Sequence, residues 1–490
     1  LVGSEMCIRD RLFAMLVAAC AVYAQIPNVS GRVTSPDGSP VAGAVVSDGL
    51  NCTQTDSDGR YTLTSDLKNR HFIMLSVPAE YEIPARHSLP IPFKRIPRYV
   101  ETFTADFVLE PRKESSDHHT LIVQGDPQIK DFFWDNSAEA YRDVVIPDII
   151  KTRKSIATPC YGIELGDVIY NELTVYPVYL HNTDRVNMVT FNVIGNHDHD
   201  QTTLLKDSLG TMHYEMHLGP TCYSANIGRV HYIFIDDILY DRKDAKESYR
   251  HGLYDETVHW LIEDLKYVPK DKIIMICAHA QMFNKKTTMV RRNKNFAAYS
   301  KALLDFKYVY SWAGHNHHTY LYTSEPERNY DIDNLTSITV TKSTGALRLN
   351  RLLNNDGTPQ GYFVVDVDGE EVSWYYLCCG KDRNYQMKVY PPARTGGEYV
   401  MANIWAHDNK WGAVEWWENG VKVGQMEAHD ALDPDYVDLY ATVTNKTTRK
   451  YCKPVNSFHM FRIKPSEGIR EGEVRVTDRF GNLYTQKVSW

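Results

Sequence analysis

The chain has no CxxC pair among its nine cysteines, which excludes a zinc knuckle and a thioredoxin-type redox centre. Scattered over 490 residues, the cysteines do not amount to a disulfide scaffold, although their spacing leaves room for one or two bridges. Charge of one sign is also scarce: 54 Lys and Arg stand against 62 Asp and Glu, a net of −8. Such a balance creates no global field for nucleic acid or an anionic membrane, so no nucleic-acid partner is expected. Any anionic ligand must be held by local positive charge. No apolar run reaches the roughly 20 residues of a spanning helix. A P-loop, a Rossmann glycine fingerprint, a GxSxG elbow and an HExxH helix are all missing, which removes the commonest rival enzyme classes.

What is present begins with Leu12 to Ala24, LFAMLVAACAVYA. With Arg9 and Arg11 before it and Val22-Tyr23-Ala24 closing it, this stretch reads as the apolar part of a secretory signal, so residues 1–24 are taken as a signal segment. Val17-Ala18-Ala19-Cys20 also resembles a bacterial lipobox. The expected location is periplasmic or cell-surface, with a lipid anchor at Cys20 as the one expected tie to a membrane. Residues 1–11, LVGSEMCIRDR, read as an artefact rather than protein and are left out of the fold.

Apolar residues at 43% and charged residues at 24% make the rest globular, and the length suits several domains. Residues 26–110 carry short alternating apolar runs separated by Asp-Gly turns at 37–38, 48–49 and 58–59, the pattern of a small β-sandwich. A polar stretch at 111–119 reads as a linker. From 117 to 380 apolar runs ending in polar residues (LIVQGD, YGIELGD, FNVIGN) alternate with helical-period segments such as 137–152 and 254–267. That is the layout of an α/β domain with its site beyond the strand ends. Residues 385–490 return to short strands and turns around Trp405, Trp411, Trp416, Trp417 and Trp490, and are expected to form another small β domain. Those tryptophans either fill its core or form a platform for stacking on sugar rings; the first reading is preferred.

Five motifs lie in order at the ends of the apolar runs: Asp126-Pro127-Gln128, Gly166-Asp167, Gly195-Asn196-His197-Asp198, Ala278-His279 and Gly314-His315-Asn316-His317. From this composition GHxH is expected by chance roughly 0.04 times and GNHD roughly 0.004 times, so the ordered series carries weight that no single histidine would. Carboxylate, amide and imidazole donors suit divalent Zn, Mn or Fe rather than soft thiolate-seeking metals. There are more donors than one tetrahedral site uses, and two ions about 3.5–4 Å apart need a bridging carboxylate. His315 and His317 alternate along an extended segment and so share one face.

Across roughly residues 118–350 this series resembles the calcineurin-like metallophosphoesterase superfamily, and the flanking β modules resemble those of its exported bacterial members. The resemblance implies a core of two packed mixed β-sheets flanked by helices, with small all-β domains at either end. It implies two divalent metal ions, Mn, Fe or Zn. Asp126, Gln128, Asp167 and His317 would hold the first, and Asp167, Asn196, His279 and His315 the second, with Asp167 shared. His197 would be the general acid, oriented by Asp198, and a metal-bridging hydroxide would attack a phosphoester of a small phosphorylated substrate: a monoester, a diester or a nucleotide-type compound. One departure stands out: Gln128 occupies a position where the commonest members have His, which leaves metal identity open. The basic run at 284–295, with Lys285, Lys286, Arg291, Arg292 and Lys294, either grips a second phosphate or is a solvated loop, the second being the ordinary fate of charge runs. An alternative reading is a non-catalytic surface protein that binds glycans on the same scaffold.

Overall fold

The structure is a computed structural model, and it describes residues 26–130, 137–203, 207–240, 249–283, 293–323, 335–346 and 353–490. The signal segment with Cys20, and Lys285, Lys286, Arg291 and Arg292 of the basic run, lie outside the described residues.

The centre of the molecule is built from eleven strands. They are β1 (His118–Gln124), β2 (Cys160–Glu164), β3 (Thr190–Asn192), β4 (Tyr223–Ile227), β5 (Val230–Phe234), β6 (Ile273–Cys277), β7 (Tyr308–Ala313), β8 (Tyr320–Thr323), β9 (Leu335–Thr339), β10 (Gly361–Asp368) and β11 (Glu371–Cys378). One sheet has the order β3-β2-β1-β10-β11, and the other β4-β5-β6-β7-β9-β8. Pairing is parallel from β1 to β3 and from β5 through β6 and β7 to β9, and antiparallel at β10, β11, β4 and β8. Both sheets are thus mixed, with antiparallel strands towards their edges.

Side-chain alternation stacks these layers. Leu121 and Val123 of β1 meet Met275 and Cys277 of β6 in the space between the sheets, where Trp312 lies edge-on to Phe363 and Trp374. Their neighbours point outward: Ile122 packs with Ile149 and Tyr179 from helical segments Ile146–Ser155 and Tyr176–Asp184. Ile274 and Ile276 pack with Trp260 and Tyr299 from helices Asp255–Leu265 and Phe296–Ala302. A strand buried on both faces reads as an unbroken apolar run, which is why IIMIC at 273–277 shows no alternation in the sequence. The helical segment at 137–152 is present but composite: a π-helical turn, Tyr141–Val145, joins helices Ser137–Ala140 and Ile146–Ser155.

Before this core, residues 29–108 form two four-stranded sheets and one two-stranded sheet. Strand Phe72–Ser76 runs up to the edge strand β4: the Asn226 amide donates to the Val77 carbonyl at 3.0 Å, and Ser224 Oγ bonds Ser76 Oγ at 3.0 Å. An otherwise open sheet edge is covered this way. After the core, residues 387–489 contribute two further four-stranded sheets around Val400, Ile404, Trp416 and Val474. Trp405 and Trp416 are 1% and 0% exposed, so these two fill the interior rather than face sugars. The region is not purely β. Helices Pro434–Ala441 and Lys446–Tyr451 interrupt it, each opened by a side-chain cap, Asp433 and Asn445.

Candidate metal centre

Asp126 and Gln128 follow β1, Asp167 follows β2, Asn196 and His197 follow β3, His279 follows β6, and His315 and His317 follow β7. Parallel neighbours end on the same side, so the two sheets deliver all of these residues to one edge. The backbone there is unusual. Asp126, Gln128, Asp167, His315 and His317 have φ of 52°, 44°, 50°, 70° and 58°, a left-handed conformation that non-glycine residues seldom adopt and that clusters at functional sites. Gly195 and Gly314 serve close approach. A Cβ on Gly195 would lie 2.3 Å from Asp167 Oδ1, and one on Gly314 would lie 2.2 Å from Asp126 Oδ2.

Two donor sets meet at Asp167. On one side, His279 Nε2 is 3.2 Å from Asp167 Oδ1, 3.1 Å from Asn196 Oδ1 and 3.2 Å from His315 Nδ1. The Leu165 carbonyl accepts from His279 Nδ1 at 2.8 Å, which leaves Nε2 free for the site. On the other side, His317 Nε2 is 3.3 Å from Asp126 Oδ1, and Asp126, Asp167 and His317 have ligand atoms within 4.8 Å of one another. Asp126 Oδ1 is buried without a hydrogen-bond partner. Burial alone would lower the His279 pKa, yet Asp167 and Asp126 lift it to about 10. The spacings suit donors arranged about divalent ions with bonds of about 2.0–2.2 Å, and the buried carboxylates draw positive charge, so the residues fit two cations.

The remaining motif residues take other places. His197 stacks on Tyr170 with ring centroids 4.2 Å apart, and its Nδ1 lies 2.7 Å from Asn171 Oδ1. Gln201 Nε2 also donates to Asn171 Oδ1, at 2.7 Å. Asp198 does not orient His197. Its carboxylate is turned the other way and accepts from the backbone amides of Val168, Ile169 and Gly195 at 3.2, 3.2 and 2.8 Å. Three amides on one buried carboxylate pin the loops that carry Asp167 and Asn196. The orienting group, Asn171, was missed because it belongs to no motif, although it lies in the same loop as Asp167.

Gln128 also differs from expectation. Its Oε1 accepts from Lys342 Nζ at 3.0 Å, while its Nε2 donates to Asp167 Oδ2 at 2.9 Å. Lys342 follows β9, is 1% exposed and also donates to the Asp126 carbonyl at 3.0 Å. Burial pulls its pKa down to about 8 against the opposing pull of Asp126, Asp167 and Glu164. Lys342 is a lone polar residue just past an apolar strand and lacks the spacing that marks the motif residues. Lys294, the described member of the basic run, is 3.5 Å from Asp255 Oδ1 and lies over the Tyr254 ring.

Two sheets between helical layers gather carboxylate, amide and imidazole donors at one edge, an arrangement that fits bound divalent metal. The N terminal of Calcineurin-like phosphoesterase matches residues 27–112, and the C terminal of Calcineurin-like phosphoesterase matches residues 350–484. Both matches are to terminal regions of calcineurin-like phosphoesterases and they flank the motif series, which supports a hydrolase acting on phosphoester bonds. No curated protein matches it in sequence. Among solved structures it is similar to a dimetal phosphatase from Danio rerio, with 13% identity, 58% of this chain and 95% of that chain covered, and a TM-score of 0.36. It is also similar to purple acid phosphatase PPD1 from yellow lupin seeds (12% identity, 68% and 67% covered, TM-score 0.38) and to PhoD (9%, 91% and 85%, 0.35). At such values these likenesses carry nothing further about activity.

Proposed function

We propose that the chain hydrolyses phosphoester bonds of small phosphorylated substrates at a centre of two divalent cations, Mn, Fe or Zn. The observation that carries this reading is the pair of donor sets on either side of Asp167, one with Asp126 and His317, the other with Asn196, His279 and His315. Cations bound there would neutralise the phosphoryl oxygens and make water acidic enough to act as a nucleophile near neutral pH. The chain's own part is positioning and proton transfer. The side chains of His197 and His317 are 20% and 21% exposed while those of Asp167 and His279 are 2% and 0%, so substrate approaches over the two outer histidines. His197, donating from Nδ1 to Asn171 and braced on Tyr170, keeps Nε2 for the leaving oxygen; with the ring protonated on both nitrogens it passes the Nε2 proton to that oxygen and is left neutral with Nδ1–H on Asn171.

The same reading takes 26–110, 117–380 and 385–490 as three domains and the chain as exported, supported by the apolar stretch at 12–24 and the alternation patterns. A lipid on Cys20 belongs to it as well. The test is metal analysis of the purified protein together with turnover of p-nitrophenyl phosphate and its bis-ester. The expected outcome is two equivalents of divalent metal and metal-dependent release of p-nitrophenol from at least one ester. A metal-free protein that cleaves neither ester after reloading with Mn, Fe or Zn contradicts the proposal.

A further inference from the structure

Lys342 is the one lysine buried among the described residues, and it sits directly behind the first donor set. An ammonium has three donors and no acceptor, so whatever faces it must accept. That fixes the Gln128 amide. Its oxygen faces Lys342 Nζ at 3.0 Å, and its NH2 group faces Asp167 Oδ2 at 2.9 Å and His317 Nε2 at 3.1 Å. The reversed amide would set NH2 against ammonium on one side and carbonyl against carboxylate on the other, two repulsive contacts in a buried place. Lys342 cannot easily move away. Its second acceptor is the Asp126 carbonyl, its own carbonyl accepts from Asn354 Nδ2 at 3.1 Å, and its backbone bridges to Gly125. An amide NH2 has no lone pair available for a metal ion.

We propose that Gln128 is not a metal ligand but a hydrogen-bond donor to Asp167, locked in that orientation by Lys342. The first cation then has three protein donors, Asp126, Asp167 and His317, with a fixed ammonium nearby. The second keeps four: Asp167, Asn196, His279 and His315. The centre is therefore unequal, with one firmly held ion and one loosely held ion that has more positions open to water or substrate. This rests on the two-cation reading above and assigns Gln128 and Lys342 their roles within it.

The test is titration of chelator-stripped full chain with Mn2+ by calorimetry, with bound metal counted by elemental analysis. The wild type should show two classes of site whose Kd values differ by at least about tenfold, and Gln128→Ala, which removes a partner of Asp167 but no ligand, should weaken the weaker site about 10–100-fold while its bound metal is still counted at saturating Mn2+. Lys342→Met frees the amide to turn its oxygen inward and should tighten the weaker site about tenfold, a gain that Gln128→Ala in the same chain removes. Loss of the weaker site in Gln128→Ala would show that Gln128 is a ligand and overturn the inference while leaving the two-cation reading standing. Absence of any Mn2+ binding by the wild type would overturn both. The Gln128→Ala result decides alone if Lys342→Met fails to fold.

Discussion

His197 is held by two neighbours of different kinds: the Tyr170 ring fixes its plane and Asn171 accepts from Nδ1. Neither of these two contacts involves a donor atom of the centre, so proton transfer and metal binding should separate on mutation. His197→Ala should keep its metal and lose roughly 10²–10⁴-fold in kcat, and Asn171→Ala should show a smaller loss of the same kind. Metal counts with steady-state kinetics check this, and metal loss in His197→Ala would go against it. Gly195 is sensitive for another reason. An added methyl would meet Asp167 at 2.2–2.3 Å, and the backbone there is already held by Asp198. Gly195→Ala should lower unfolding free energy by about 1–3 kcal/mol and weaken metal binding together, read by denaturant titration and calorimetry. Asp126, Asp167, Asn196, His279, His315 and His317 were legible in the sequence because each ends an apolar run inside a recognisable spacing. Asn171 and Lys342 were not, since a lone polar residue past a strand has no spacing to mark it. The orientations of Asp198 and Gln128 were not legible either: direction depends on backbone amides and an ammonium brought in from distant parts of the chain.

At the level of elements, strands were easier to foresee than their ends. The runs LIVQGD, YGIELGD and FNVIGN fall on β1, β2 and β3, each strand starting one to three residues before its run, and the helix at 254–267 became Asp255–Leu265. The π-helical turn at Tyr141–Val145 left no sign, because its residues keep helical periodicity. Strand β1 begins with a different kind of feature. His119 is fully buried, with Nδ1 2.7 Å from the Ser116 carbonyl and Nε2 2.5 Å from the Tyr232 hydroxyl, and burial lowers its pKa to about 4. The folded chain keeps this imidazole neutral, while the unfolded chain protonates it near pH 6.5. Below that pH the unfolded state therefore binds the extra proton, and stability falls as pH drops from about 6.5 to about 4, by roughly 1.4 kcal/mol per unit from this one group. Denaturant titrations at several pH values should show a shallower slope for His119→Asn, and an unchanged slope would contradict it.

The next link lies between the core and the C-terminal region. Asp356 accepts from the Thr319 amide at 2.9 Å and from Thr358 at 2.9 and 3.0 Å, and it lies 3.3 Å from His459 Nε2. Thr319 follows the His315–His317 segment, so one buried carboxylate ties that loop to strands beyond it. Asp356→Ala should destabilise the protein by about 3 kcal/mol or more, and should raise the Mn2+ Kd through His317 in whatever fraction stays folded. Thermal melts and calorimetry read the two effects separately, and an unaltered melting temperature would exclude the link.

Over the whole molecule, the three-part order of β module, α/β core and mixed C-terminal region follows the change of hydrophobic period along the chain. The interfaces do not: the cover that Phe72–Ser76 gives to β4 depends on contacts more than 140 residues apart in sequence. The same holds for the centre, whose donors span Asp126 to His317. Asp167 alone belongs to both donor sets, so the most direct measurement is bound metal and turnover in Asp167→Asn, with folding confirmed by circular dichroism. The expected outcome is a folded protein with less than the full complement of metal and no detectable phosphoesterase activity. A folded Asp167→Asn variant that keeps two metal ions and wild-type turnover would contradict it.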